Sequence, residues 1–190
     1  MTQPKKSFLL AEFFIFCLSL TASFAQTPIN KQSEPSFDVI LQTVIASNNA
    51  GDKSDVTAPL SSIVKKLKAN FPFTNYRLTS TSIQRIGDKG GAYSKSVSYV
   101  TDKNLAVFSE WVIDDLESSI DDRGQESVSI RSFKFNQRIP ILSLNNNYEQ
   151  LGLTAKFSVM KNTPTVVGSL TTAEPAELMF LILTVKSSEK

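Results

Sequence analysis

The chain contains no histidine, and its one cysteine, Cys17, lies close to the N-terminus. The first absence removes the commonest general base, the usual zinc and copper ligand, and every mechanism built on a Ser-His-Asp or Cys-His pair. The second leaves nothing beyond residue 17 that can form a disulfide, a thiolate nucleophile, a cysteine metal site or a covalent haem link. An excess of one charge is missing too, since 20 basic residues face 18 acidic ones. Such a balanced chain lacks the electrostatic footprint that nucleic acid demands. Nothing in the composition asks for a cofactor, and packing alone has to hold the fold.

What is present starts with the first 25 residues. Lys5 and Lys6 precede an apolar run from Phe8 to Leu20, and Ser23-Phe24-Ala25 puts small residues at −3 and −1 of a cut before Gln26. That is the layout of a secretory signal peptide. Glu12 interrupts the run and Ser19, Thr21 and Ser23 dilute its end, which argues against a permanent anchor of about 20 apolar residues. Phe16 is too bulky a neighbour for a lipoprotein cut before Cys17. The expectation is export to the periplasm, the outer membrane or beyond. Losing Lys5, Lys6 and Glu12 leaves a net charge of about +1 on about 165 residues, the length of one ordinary domain.

Residues 26–36, with Pro28 and Pro35, read as a flexible lead-in to a single domain over 37–190. Phe37 to Ala46 reads as a strand. A helix follows, with Thr57 as its cap, Pro59 in its first turn, and Leu60, Ile63, Val64, Leu67 and Phe71 on one stripe. Asn70 and Pro72 end it. Tyr76 to Ile86, Tyr93 to Val100 and Leu105 to Ile113 read as strands. Gly87-Asp88-Lys89-Gly90-Gly91 is taken as a hairpin loop and Thr101 to Asn104 as a turn. Apolar residues on both faces of the Leu105–Ile113 segment predict a strand covered on both sides. Val128 and Ile130 are out of phase with Phe133 and Phe135, which predicts a bulge. Leu151 to Val159 alternates cleanly, and Leu178 to Val185 is nearly all apolar, the pattern of a central strand.

Candidate chemistry is sparse. Ser62-Ile63-Val64-Lys65 matches the S-x-x-K nucleophile motif, but so does Ser158-Val159-Met160-Lys161, and the accompanying S-D-N and K-T-G elements are absent. No catalytic residue is therefore assigned. Asp114, Asp115, Asp121 and Asp122, with Glu117 and Glu126, form an acidic stretch whose carboxylates are candidate calcium ligands. It lacks the D-x-D-x-D-G spacing of a dedicated loop, and a solvated hairpin tip is the competing reading. Glu110 with Asp114 is a candidate carboxylate pair for sugar hydrolysis. Tyr76, Tyr93, Tyr99 and Trp111 are candidates to line a ligand groove, against the alternative of core and cross-strand packing. Lys65, Lys66 and Lys68 lie off the apolar stripe. They read as a solvated face or as a basic surface for anionic lipid or cell-wall polymer.

Two stretches carry a resemblance. Val44-Ile45-Ala46-Ser47-Asn48, the Leu60–Leu67 helix and Phe71-Pro72-Phe73-Thr74-Asn75-Tyr76-Arg77-Leu78 resemble a family of exported bacterial proteins of unassigned activity. That family shares a strand, a helix and an F-P-Y-x-x-Y-x-L approach to the next strand. Asn162 to Leu170 and Glu177 to Thr184 resemble the G-x-T-V-V-x-G-G-L and E-L-L-I-F-I-T core strands of secretin outer-membrane channels. The long lip segment between those strands is missing here, and no functional residue carries over. The resemblance implies a place in envelope machinery.

The expected fold is α+β, a strand–helix unit followed by a mostly antiparallel sheet with the one main helix packed on it. The expected function is that of a non-catalytic envelope protein acting through contacts with other envelope proteins or with itself, accessory to an outer-membrane or secretion assembly. The alternatives are a small-ligand or cell-wall-polymer binder and a carboxylate-dependent hydrolase.

Overall fold

The computed structural model describes residues 35–188, apart from 50, 52, 101–104, 121, 123, 142–146 and 173–176. The signal segment 1–25, the lead-in to residue 34 and the Thr101–Asn104 turn expected from the sequence lie outside the described residues. The elements are β1 (Ser36–Ser47), a 3-10 turn (Ala58–Leu60), α1 (Ser61–Asn70), β2 (Asn75–Gly87), β3 (Ala92–Val100), β4 (Leu105–Ile120), β5 (Glu126–Pro140), β6 (Tyr148–Met160), β7 (Thr165–Thr171) and β8 (Glu177–Ser187).

The strands form two antiparallel four-stranded sheets, β2-β1-β8-β7 and β3-β4-β5-β6. Every pairing joins neighbours in the chain except that of β1 with β8, in which Phe37 faces Ser187 and Ser47 faces Glu177. The order is therefore that of an up-and-down barrel opened at two seams, β2/β3 and β6/β7. Its interior is filled. Phe37, Val39 and Leu41 of β1 and Met179, Leu181, Leu183 and Val185 of β8 meet Trp111, Ile113 and Leu116 of β4 and Val128, Ile130, Phe133 and Phe135 of β5 in one buried cluster. Each such side chain contributes on the order of 1.5–3 kcal/mol of burial.

This arrangement corrects the α+β expectation. The protein is mostly β, with two antiparallel sheets and one short helix. The helix signals in the sequence are real but belong to only ten residues, and the apolar faces of the strands bury mainly against each other. Pro59 sits in the turn that leads into α1, and the Asn70 side chain donates to the Lys66 carbonyl at 2.8 Å as the helix ends. Thr57 precedes the turn but makes no side-chain capping bond. Leu60, Ile63, Val64 and Leu67 share a second buried cluster with Val44, Ala46, Tyr76, Phe180 and Ile182.

Two further expectations change. Gly87–Gly91 is not a hairpin, because β2 and β3 lie in different sheets. It is a corner that docks on β4: Lys89 N–H donates to the Leu116 carbonyl at 2.7 Å, and Leu116 N–H donates to the Gly90 carbonyl at 3.0 Å. A Cβ on Gly91 would stand 2.7 Å from the Ile113 carbonyl oxygen, so the approach requires glycine. Nor is β4 covered on both sides, since Phe108 on its outer face is substantially exposed. The strand also runs past Ile113 to Ile120. The predicted bulge in β5 is present as a register shift between Ile130 and Phe133. β4 is offset alongside it: Leu116 returns to the interior three residues after Ile113, and the intervening Asp115 adopts a φ of 58°.

Candidate functional site: the outer face and free edge of the β3 sheet

Directly opposed residues in an antiparallel sheet share a face. Pairing of Tyr93 with Val112, Lys95 with Glu110, Val97 with Phe108 and Tyr99 with Ala106 therefore puts all of these on the side of the sheet away from the core. Phe108 pairs in turn with Arg138, and Pro140 with Tyr148. The result is an aromatic and cationic face. Tyr93 is 54% exposed, Val97 53%, Tyr99 62% and Phe108 43%. The Arg138 guanidinium lies 5.9 Å from the Phe108 ring centre and 5.2 Å from that of Tyr148, within cation–π range of both. Lys95 Nζ stands 5.4 Å from the Tyr93 ring centre and 3.6 Å from a Glu110 carboxylate oxygen. Tyr93 and Glu110 together hold the Lys95 ammonium above the ordinary lysine range.

A shallow depression of ≈ 300 Å³ opens on this face, with Lys95, Phe108, Glu110, Asn136, Arg138 and Gln150 in its walls. Its floor is the sheet itself. Beneath it Gln137 is buried and donates from its amide nitrogen to Ser109 Oγ at 2.8 Å, while its Oε1 has no partner among the described residues.

The edge of the sheet matters as much as its face. β3 is the terminal strand and pairs, among the described residues, with β4 alone. From Lys95 to Tyr99 every residue is exposed, including Ser96 and Ser98, whose side chains point to the core side. Sheet β2-β1-β8-β7 thus does not cover this part of β3, which is bare on both faces and, among the described residues, along one edge.

The structure sorts the sequence candidates accordingly. Tyr93 and Tyr99 share the exposed face, but Tyr76 and Trp111 are buried. Trp111 donates from Nε1 to Ser82 Oγ at 3.1 Å. Tyr76 lies parallel to Phe180 with ring centres 6.4 Å apart, and its hydroxyl is buried without a partner among the described residues. Burial pushes that hydroxyl above the ordinary tyrosine value. Lys65, Lys66 and Lys68 are exposed on α1, whose buried residues Ile63, Val64 and Leu67 belong to the cluster of Val44, Tyr76 and Phe180, so they do not join Tyr93 and Tyr99. Lys68 Nζ stands 5.7 Å from the Tyr76 ring centre. Ser62 and Lys65 are exposed on the same helix, while Lys161 is taken up by Glu126 at 2.6 Å.

The acidic stretch is divided between strand and turn. Asp114 and Asp115 lie within β4, and Asp115 is held by Arg131 at 2.7 Å. Asp122 is exposed in the turn after β4, and Asp121 lies outside the described residues. No three carboxylates converge among the described residues. Glu110 and Asp114 share a face but stand four residues apart along β4, about 14 Å at 3.4 Å per residue. That exceeds the roughly 5–9.5 Å that glycoside hydrolysis uses. The residues that sequence reading missed are Phe108, Arg138 and Tyr148. The available signal was alternation in β5, where Arg138 is out of phase with Phe133 and Phe135.

No protein-family model matches the chain, and no curated protein matches it either. Among solved structures, the chain is similar to a Salmonella SPI-1 type III secretion injectisome secretin, InvG (residues 176 to the end), in the open gate state. The likeness covers 100% of this chain and 70% of that one, at 12% identity and a TM-score of 0.40. At that depth it assigns neither an activity nor a partner to this chain. The sequence likeness to secretin core strands falls on β7 and β8, which pair as an antiparallel hairpin.

Proposed function

We propose that this protein is a non-catalytic component of the bacterial envelope that works by contact with other envelope proteins, as an accessory to an outer-membrane or secretion assembly. The observation that carries the reading is β3: an edge strand bare on both faces from Lys95 to Tyr99, continuous with the exposed ring of Phe108. Unpaired strand edges are templates for another strand, and natural proteins usually blunt them with charge, proline or a bulge. Within Lys95–Tyr99 the only such device is Lys95, itself paired to Glu110. An exposed aromatic surface beside a free edge favours protein recognition, main-chain bonds giving affinity and alternate side chains giving selection. The test is photo-crosslinking in intact cells from a benzoylphenylalanine placed at position 99. Adducts with envelope proteins are expected there and not from a control at Lys66 on α1. Equal or absent labelling at the two positions would contradict the reading.

The depression supports a second reading, a binder of cell-wall polymer. Phe108 offers a stacking surface, and Glu110, Asn136, Arg138 and Gln150 offer polar contacts at its walls. Co-sedimentation with purified peptidoglycan, reduced at least several-fold by Phe108→Ala, is the outcome that would favour it.

A further inference from the structure

We propose that β3 pairs with β3 of a second copy of this chain, antiparallel about Val97, so that the two β3-β4-β5-β6 sheets join edge to edge. The proposal rests on the contact reading above and names the partner. Around Val97 the strand reads Lys95-Ser96-Val97-Ser98-Tyr99, close to palindromic. A two-fold axis through Val97 sets Val97 opposite its own copy, Ser96 opposite the partner's Ser98 and Lys95 opposite the partner's Tyr99. The serine pairs fall on the core side. On the outer side two apolar side chains meet at the centre and two cation–aromatic pairs flank them, each pair of a kind that stabilises antiparallel neighbours.

The same register avoids self-repulsion. The two Lys95 ammonium groups end up four residues apart, about 14 Å at 3.4 Å per residue, beyond the Debye length of about 8 Å at physiological salt. All five residues of the contact are exposed, so pairing displaces nothing among the described residues. The contact is isologous and closes on itself, giving dimers and not fibres. Five residues make a small interface, so the dimer is of the transient kind and concentration-dependent.

The experiment is sedimentation equilibrium of the full chain, expressed for export and purified, over a hundredfold concentration range. It compares the wild type, Val97→Lys, Val97→Glu and an equimolar mixture of the two variants. Val97 is exposed, so both variants are expected to melt within a few degrees of the wild type. The wild type is expected to dimerise, each variant alone to raise the dissociation constant at least tenfold, and the mixture to restore dimer. Restoration by mixing is specific, because only pairing about Val97 sets position 97 against itself. A wild type that stays monomeric throughout, or a dimer that survives Val97→Lys, overturns the proposal. In either case crosslinking from position 99 to a different envelope protein would leave the broader contact reading standing.

Discussion

β8 and β3 are both strands of four-stranded antiparallel sheets, yet they occupy opposite extremes of the same molecule. From Met179 to Val185 every residue of β8 is buried. Met179, Leu181, Leu183 and Val185 enter the inter-sheet cluster, Phe180 and Ile182 join the α1 cluster, and both edges are paired, to β1 and β7. From Lys95 to Tyr99 every residue of β3 is exposed, with one edge free among the described residues. The contrast separates two tasks. β8 closes the fold, since its pairing with β1 joins the ends of the described chain, while β3 contributes little to the core and presents its backbone and aromatics outward.

Breaking the β8 side should have the largest effect. Phe180 packs edge-on to Phe71 with ring centres 4.9 Å apart and stacks near Tyr76 at 6.4 Å. Phe180→Ala is expected to cost about 3–5 kcal/mol in urea unfolding. Next is the corner that anchors β3. In Gly91→Ala the new methyl would meet the Ile113 carbonyl oxygen, a backbone atom that cannot step aside. A loss of about 1–3 kcal/mol is expected.

Tyr76 offers a smaller and opposite change. Tyr76→Phe keeps the ring and removes a buried, unpartnered hydroxyl, so stability at neutral pH should stay level or rise by up to about 1 kcal/mol. The hydroxyl's value is raised in the folded state by burial. Its contribution is therefore fully present below the unfolded tyrosine value near 10 and is lost as pH climbs through the folded value. Tyr76→Phe should flatten that alkaline limb of a stability–pH curve. Smallest of all, Val97→Lys should leave stability within about 0.5 kcal/mol of the wild type, a measurement made on the same urea curves. A large loss at Val97 would mean that β3 is part of the core after all and would erase the contrast with β8.

The positions of the strands were legible because period-two alternation survives in the sequence. Phe37, Val39 and Leu41 mark one face of β1, and the phase slip between Ile130 and Phe133 marks the bulge in β5. The apolar run Leu178–Val185 was legible as a central strand, because only a strand covered on both faces needs no polar side. The partition into two sheets was not. Gly87–Gly91 has hairpin composition, and its role as a corner depends on bonds to Leu116, which no local pattern announces. The fold class was misjudged for a related reason: strong local helix signals in Leu60–Leu67 say nothing of how many strands bury each other elsewhere. The acidic residues after Ile113 disguised the second half of β4, whose outward positions tolerate charge. Of the candidate site, Tyr93 and Tyr99 were found by residue type. Tyr76 and Trp111 were drawn in by the same criterion although burial removes them, and Phe108 and Arg138 become neighbours only through the pairing of β4 with β5.

The central claim, that β3 is a free edge awaiting a second strand while β8 is the closed heart of the fold, is tested most directly by amide hydrogen exchange at low and at high protein concentration. β8 should exchange only through global unfolding at both concentrations. The edge-facing amides between Lys95 and Tyr99 should exchange rapidly when the protein is dilute and become protected when it is concentrated. Strong protection of those amides at the lowest concentration would contradict the account, because it would mean that the edge is already covered within a single chain.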